Sequence, residues 1–197
     1  MRFYVLLDIS GSMEGAKIGA LNDAMSNILA ELKEISCSSN QLIDIAVLSF
    51  GKEVKWMHNH PINIQDFAWC QLSAGGMTPL GKACIGLNMA LMSYHQKHDD
   101  IIYIVLLSDG CPTDDYDEGI DTLLANPHFI NANKYAIAIG DNADIPALSR
   151  FVQYDSHVYI QNRADELLNP LQNIICEIKT IAPYTNHTDG EEDDEWA

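Results

Sequence analysis

Two hydrophobic patterns alternate along the chain. Short continuous apolar runs mark buried strands, and longer stretches with apolar residues every three or four positions mark helices. The first run, Phe3-Tyr4-Val5-Leu6-Leu7, has no polar alternation, as expected of a central strand covered on both faces. From Ala16 to Ile35, the residues Ile18, Leu21, Met25, Ile28, Leu32 and Ile35 build one apolar helical face. Ile43 to Phe50 reads as a second strand and Glu53 to Met57 as a third. The Gly51-Lys52 link between them is too short for a parallel crossover, so that pair is antiparallel.

Pro79 opens a second long helix that runs to about Tyr94, and Ile101 to Leu107 is a fourth, fully apolar strand. Helices over Asp117–Ala125 and Ile145–Phe151 alternate with strands over Lys134–Ile139 and His157–Ile160. A last helical pattern, Ala164 to Ile178, contains Pro170, which predicts a kink or a break. Strands alternating with helices in this way predict an α/β class with a three-layer, doubly wound and mostly parallel six-stranded sheet flanked by helices. Residues 1–180 form the domain. Residues 181–197 turn polar and acidic, with Glu191 to Glu195 consecutive, and read as a disordered tail.

Charge narrows the function. A formal net charge of −17 argues against nucleic acid and against anionic membrane surfaces, since both need clustered Lys and Arg. The N-terminal apolar run stops at Asp8, short of a signal-peptide core or a membrane span. The five cysteines, Cys37, Cys70, Cys84, Cys111 and Cys176, are odd in number and form no CxxC pair. They are read as reduced, small buried apolar residues, and the protein is expected in the cytoplasm.

The chemistry gathers in three distant segments. Asp8-Ile9-Ser10-Gly11-Ser12 follows the first strand, Ser108-Asp109-Gly110 follows the fourth, and Gly75-Gly76-Met77-Thr78-Pro79-Leu80-Gly81 leads into a helix. Ligands of open α/β sheets bind beyond the carboxyl ends of strands, where the strand order reverses. If the first and fourth strands are neighbours at that reversal, Asp8 and Asp109 face each other, with Ser10, Ser12 and Thr78 around them. Such a hard, all-oxygen donor set suits Mg²⁺, with Mn²⁺ or Ca²⁺ as alternatives, and nothing in it favours zinc.

Asp-x-Ser-x-Ser with a distant Thr and a distant Asp resembles the metal-ion-dependent adhesion site of von Willebrand factor A domains. The resemblance covers residues 2–180. It implies a sheet order 3-2-1-4-5-6 with strand three as the antiparallel edge. It also implies that Ser10, Ser12 and Thr78 hold the metal directly, while Asp8 and Asp109 act mainly through water. The function it implies is protein recognition without catalysis, a partner presenting Asp or Glu to the cation.

The chain is further similar to TerY-type proteins of tellurite-resistance and chemical-stress operons, on Val5-Leu6-Leu7-Asp8 and on Ser108-Asp109-Gly110-Cys111-Pro112-Thr113-Asp114-Asp115. That similarity implies TerD-like proteins or a kinase and phosphatase pair as partners. Two other readings stand beside this one. A carboxylate after the first strand also resembles haloacid-dehalogenase-type phosphoesterases, but the second carboxylate they need two positions on is Ser10 here. A metal-free scaffold of the same fold is the other.

His58 with His60, and His95 with His98, lack a third metal ligand and are read as surface or partly buried histidines. Asp114 and Asp115 are expected to flank the helix that follows them.

Overall fold

The computed structural model describes residues 1–93, 100–109, 111–163 and 166–181. Its centre is β1 (Arg2–Asp8), which pairs in parallel with β2 (Asp44–Phe50) on one side and β5 (Ile102–Ser108) on the other. β6 (Asn133–Ile139) and β7 (Val158–Gln161) continue the parallel sheet beyond β5. The sheet order is β3-β2-β1-β5-β6-β7, which is the expected doubly wound order, with its reversal between β1 and β5.

The edge beyond β2 departs from expectation. Two antiparallel pieces occupy it: β3 (Val54–Trp56) against Leu48–Phe50 and β4 (Ile62–Asn63) against Asp44–Ile45. The sheet therefore has seven strands instead of six. Between Trp56 and Ile62 the chain leaves the sheet through a segment containing Pro61, which has no N–H to give a ladder.

Alternate residues of the central strands feed two cores. Phe3, Val5 and Leu7 pack under α1 (Ala16–Ser38) and α6 (Leu168–Ile181), together with Met25, Ile28, Leu32, Ile174 and Ile178. Tyr4 and Leu6 face the other way, toward α2 (Leu80–Met92), α3 (Tyr116–Leu124), α4 (Pro127–Ile130) and α5 (Ile145–Val152). Burying each large apolar side chain contributes about 1.5–3 kcal/mol, so the paired cores hold β1 and β5 rigidly at the centre.

Three sequence expectations are corrected. The last helix starts at Leu168, two residues before Pro170, instead of at Ala164. Proline in a first turn removes no intrahelical bond, so it marks the helix start and no kink is needed. Cys84 is buried, but Cys37, Cys70, Cys111 and Cys176 are exposed, so only one cysteine is a core residue; all five are free thiols. Of the four exposed thiols, Cys37 and Cys176 lie on α1 and α6 outside their buried apolar faces, and Cys70 and Cys111 lie in loops. The tail after Ile181, and His95 with His98, lie outside the described residues. Among the described residues no helix is long and apolar enough to cross a membrane.

Candidate metal centre

β1 and β5 run in register and end side by side, which delivers Asp8 and Asp109 to the crevice at the sheet's reversal. Asp8 is completely buried, and Asp109 is 7% exposed. Both oxygens of Asp8 are held. Ser10 N donates to Oδ1 at 2.8 Å and Ser108 Oγ donates to Oδ2 at 2.6 Å. The first of these bonds folds the chain back after β1, so that Ser10 and Ser12 converge with their hydroxyl oxygens 2.9 Å apart.

Ser10, Ser12, Thr78 and Asp109 line one cavity of about 620 Å³, with Asp8 directly beneath Ser10. The structure thus brings together all five residues singled out from sequence. Burial raises the Asp8 carboxyl above its ordinary range. The hydrogen bonds from Ser10 and Ser108 oppose the rise, and the nearby Asp109 charge adds to it.

The loop carrying Thr78 is fastened from both sides by backbone. Gly75 N donates to Ile9 O at 2.7 Å, Gly11 N to Gly76 O at 3.0 Å, and Lys52 N to Gly75 O at 3.0 Å. Thr113 clamps the other side: Thr78 N donates to Thr113 Oγ1 and Thr113 N to Thr78 O, each at 2.9 Å. Asp114 caps α2 with both oxygens, accepting from Gly81 N at 2.9 Å and Lys82 N at 2.8 Å. Only Asp115 caps the helix after it, accepting from Glu118 N.

The expectation that Asp114 flanks the following helix is therefore corrected. An isolated helix start at Pro79 offers no side-chain cap of its own, and Asp114 supplies one across the fold. Thr113 and Asp114 are the functional residues missed from sequence. Their signal was the Pro-Thr-Asp run beside Asp109, whose partners lie about 33 to 35 residues away.

Gly81 completes the clamp. A Cβ there would sit 2.3 Å from Asp115 O, so α2 and the 113–115 segment touch backbone to backbone. The exposed Cys111 thiol is pushed up by partial desolvation and by the Asp109 and Asp144 carboxylates, which keeps it protonated and poorly nucleophilic.

The donor set fits a hard divalent cation. The buried Asp109 carboxylate and three hydroxyls line one cavity with the Asp8 carboxylate beneath it, and among the described residues no Lys, Arg or His pairs with either acid. Uncompensated buried charge of this kind is costly, and a bound cation would offset it. Ser10, Ser12 and Thr78 would hold such an ion, with Asp8 and Asp109 supplying the negative charge. No cluster of three His, Cys, Asp or Glu side chains exists among the described residues, so no second, zinc-like set competes. β3 ends at Trp56, and the two histidines beyond it diverge. His58 stacks edge-on against Phe67, and the exposed His60 turns to the Pro61 carbonyl.

No family model matches the sequence, and no curated protein matches it significantly. Solved structures do match in fold. A von Willebrand factor type A protein from Catenulispora acidiphila superposes with a TM-score of 0.65 at 15% identity, over 88% of this chain and 41% of that one. Proximal thread matrix protein 1 from the mussel byssus, in a structure whose adhesion-site motif holds zinc, gives 0.64 at 16% identity, over 88% and 46%. The conserved hypothetical protein BatB from Bacteroides thetaiotaomicron gives 0.62 at 14% identity, over 92% and 98%. The chain thus spans less than half the length of the first two. With its doubly wound sheet, antiparallel edge and flanking helices, the fold of this chain is that of the von Willebrand factor A domain.

Proposed function

We propose that this protein is a divalent-cation-dependent recognition module, which binds a partner protein through a metal held by Ser10, Ser12 and Thr78 above Asp8 and Asp109. The observation that carries the reading is the pair of buried acids at the sheet's reversal, beside a hydroxyl-lined cavity, with no Lys, Arg or His paired to either of them among the described residues. Hydroxyls nearest the ion neutralise it poorly, so it keeps affinity for an Asp or Glu carboxylate from outside. The net charge of −17 opposes an acidic partner at long range, but beyond about 8 Å that field is screened and the local cation prevails at contact.

We assign Mg²⁺ as the cation because hard oxygen donors suit it, with Mn²⁺ or Ca²⁺ able to replace it. The zinc in the mussel protein's motif is a property of that protein. The Cys111-Pro112-Thr113-Asp114 extension supports placing the chain with TerY-type proteins in a cytoplasmic tellurite-resistance or chemical-stress system. TerD-like proteins or a kinase and phosphatase pair are then the partners to try.

The module is not an enzyme in this reading. Asp8 is sealed from solvent with both oxygens already engaged, which is unsuited to a nucleophile that must reach a phosphoryl group. Calorimetric titration of Mg²⁺ into chelator-stripped protein tests the proposal. Saturable one-site binding that disappears in Asp8→Ala supports it. Partner capture that survives Asp8→Ala would sink it, and Mg²⁺-dependent phosphate release lost in the same variant would establish the phosphoesterase instead.

A further inference from the structure

The cavity that holds the candidate metal ligands has one basic side chain among its described lining residues, Lys17 on the first turn of α1. The residue is half-buried. It lies against the backbone at the end of β6, where Nζ is 3.0 Å from the place a Cβ of Gly140 would occupy. Gly140 has φ +95° and no side chain, and that is what leaves room for the lysine.

Several other basic groups among the described residues are engaged. Arg2 pairs with Asp44, Arg150 with Asp117 and Asp121, Lys179 with Glu31, and Lys134 donates to the Phe129, Ile130 and Ala132 carbonyls. Lys17 makes no ion pair or hydrogen bond among the described residues. The exposed Met77 stands in the same lining, next to Thr78.

We propose that Lys17 is a second anchor of this site, so that the partner is an acidic segment offering two neighbouring carboxylates, one to the cation and one to the Lys17 ammonium. The inference rests on the cation-dependent reading above. A cavity of about 620 Å³ is of the size that takes a ligand of several side chains, so both groups fit in it together. A bare cation discriminates poorly among carboxylates. A second fixed charge at a set separation selects for spacing, which is where charge complementarity adds specificity. Asp141 at the same cavity penalises an acid placed on its side, so the preference is directional.

The test uses the full chain loaded with Mg²⁺ and four simple probes followed by NMR: butyrate, succinate, glutarate and adipate. At least one dicarboxylate should bind about two- to fivefold tighter than butyrate, beyond the statistical advantage of two identical ends, as expected for a partly exposed ion pair. The Lys17 side-chain resonances should shift with that dicarboxylate and not with butyrate. Lys17→Gln should remove the excess, Lys17→Arg should retain it, and Lys17→Glu should turn it into a penalty. An excess that persists in Lys17→Gln would mean both carboxylates sit on the metal, and the proposal fails. It fails equally if the wild type shows no excess. Absence of Mg²⁺ binding in the wild type would overturn the cation-dependent reading itself, and this proposal with it.

Discussion

Acidic side chains meet two different fates in this molecule. On the outer surface between α3 and α5, Asp117 and Asp121 share the guanidinium of Arg150, and both acids are largely exposed. At the ends of β1 and β5, Asp8 and Asp109 are buried, and among the described residues hydroxyls and backbone N–H groups bond to them but no Lys, Arg or His pairs with either. Water and Arg150 make the first arrangement inexpensive and of small consequence. The second costs folding energy for as long as no metal is bound, and a fold keeps such a cost where a ligand repays it. The two regions therefore respond in opposite ways to the loss of a carboxylate.

The largest effect is expected at Asp8. Asp8→Asn keeps the shape and the bond from Ser10 N, reverses the Ser108 bond so that the amide donates to Oγ, and removes the charge, so Mg²⁺ binding should vanish in calorimetry. Without metal the variant should unfold at a temperature no lower than the wild type. The sign follows from the raised carboxyl. Its folded pKa exceeds its unfolded one, so the metal-free wild type loses stability as pH rises from the ordinary carboxylate range through the raised value. Asp8→Asn should flatten that slope. Metal at a hundredfold excess over Kd should add about 2.7 kcal/mol to the wild type, or about 5–10 °C, and nothing to the variant. A variant that is less stable than the metal-free wild type would show that Asp8 is a structural acid.

Gly81→Ala comes next, because it strikes the clamp behind Thr78 and not the charge. The new methyl would overlap the Asp115 carbonyl at 2.3 Å, and a backbone neighbour cannot step aside cheaply. A loss of about 1–3 kcal/mol in denaturant unfolding is expected, with weaker Mg²⁺ binding as the Thr78 loop shifts. Unchanged stability would show that α2 and the 113–115 segment are free to move apart.

These two positions also mark what could be read from sequence and what could not. The run Phe3–Leu7 and the run Ile101–Leu107 are apolar throughout because their strands are covered on both faces, and that made the central sheet legible. An acid directly after each run then located the site. The edge was harder, because β4 has only two residues and its pairing with Asp44–Ile45 leaves no period to detect. Asp114 was assigned to its nearest helix because local capping is the usual case, whereas its partners Gly81 and Lys82 are brought to it by tertiary contact alone. The exposed cysteines escaped for a related reason: residue type predicts burial only on average, and of these four Cys37 and Cys176 sit off the apolar faces of their helices while Cys70 and Cys111 lie in loops.

A smaller effect is expected at Thr113. Thr113→Val is close in shape but takes away the oxygen that accepts the Thr78 N–H. The loss of one such bond costs about 1 kcal/mol. Because the bond positions Thr78, Mg²⁺ affinity should fall several-fold while Thr113→Ser restores it. Equal affinity in both variants would leave Thr113 as a packing residue only.

The smallest effect belongs to the surface pair. Arg150→Met removes the cation from Asp117 and Asp121 but keeps an apolar stem near the Tyr116 ring, which the guanidinium overlies at 5.8 Å. Exposed ion pairs are worth about 0.2–1 kcal/mol, so the unfolding midpoint should drop slightly and the drop should shrink at high salt. Mg²⁺ binding should not change, because the acids left behind are solvated and stand on the outer helices. If Arg150→Met instead weakens Mg²⁺ binding as much as Thr113→Val does, the contrast between the two acidic regions breaks down. α3 would then transmit the loss to the site through its contact with Gly81, where a Cβ on Gly119 would lie 2.3 Å from the Gly81 carbonyl oxygen.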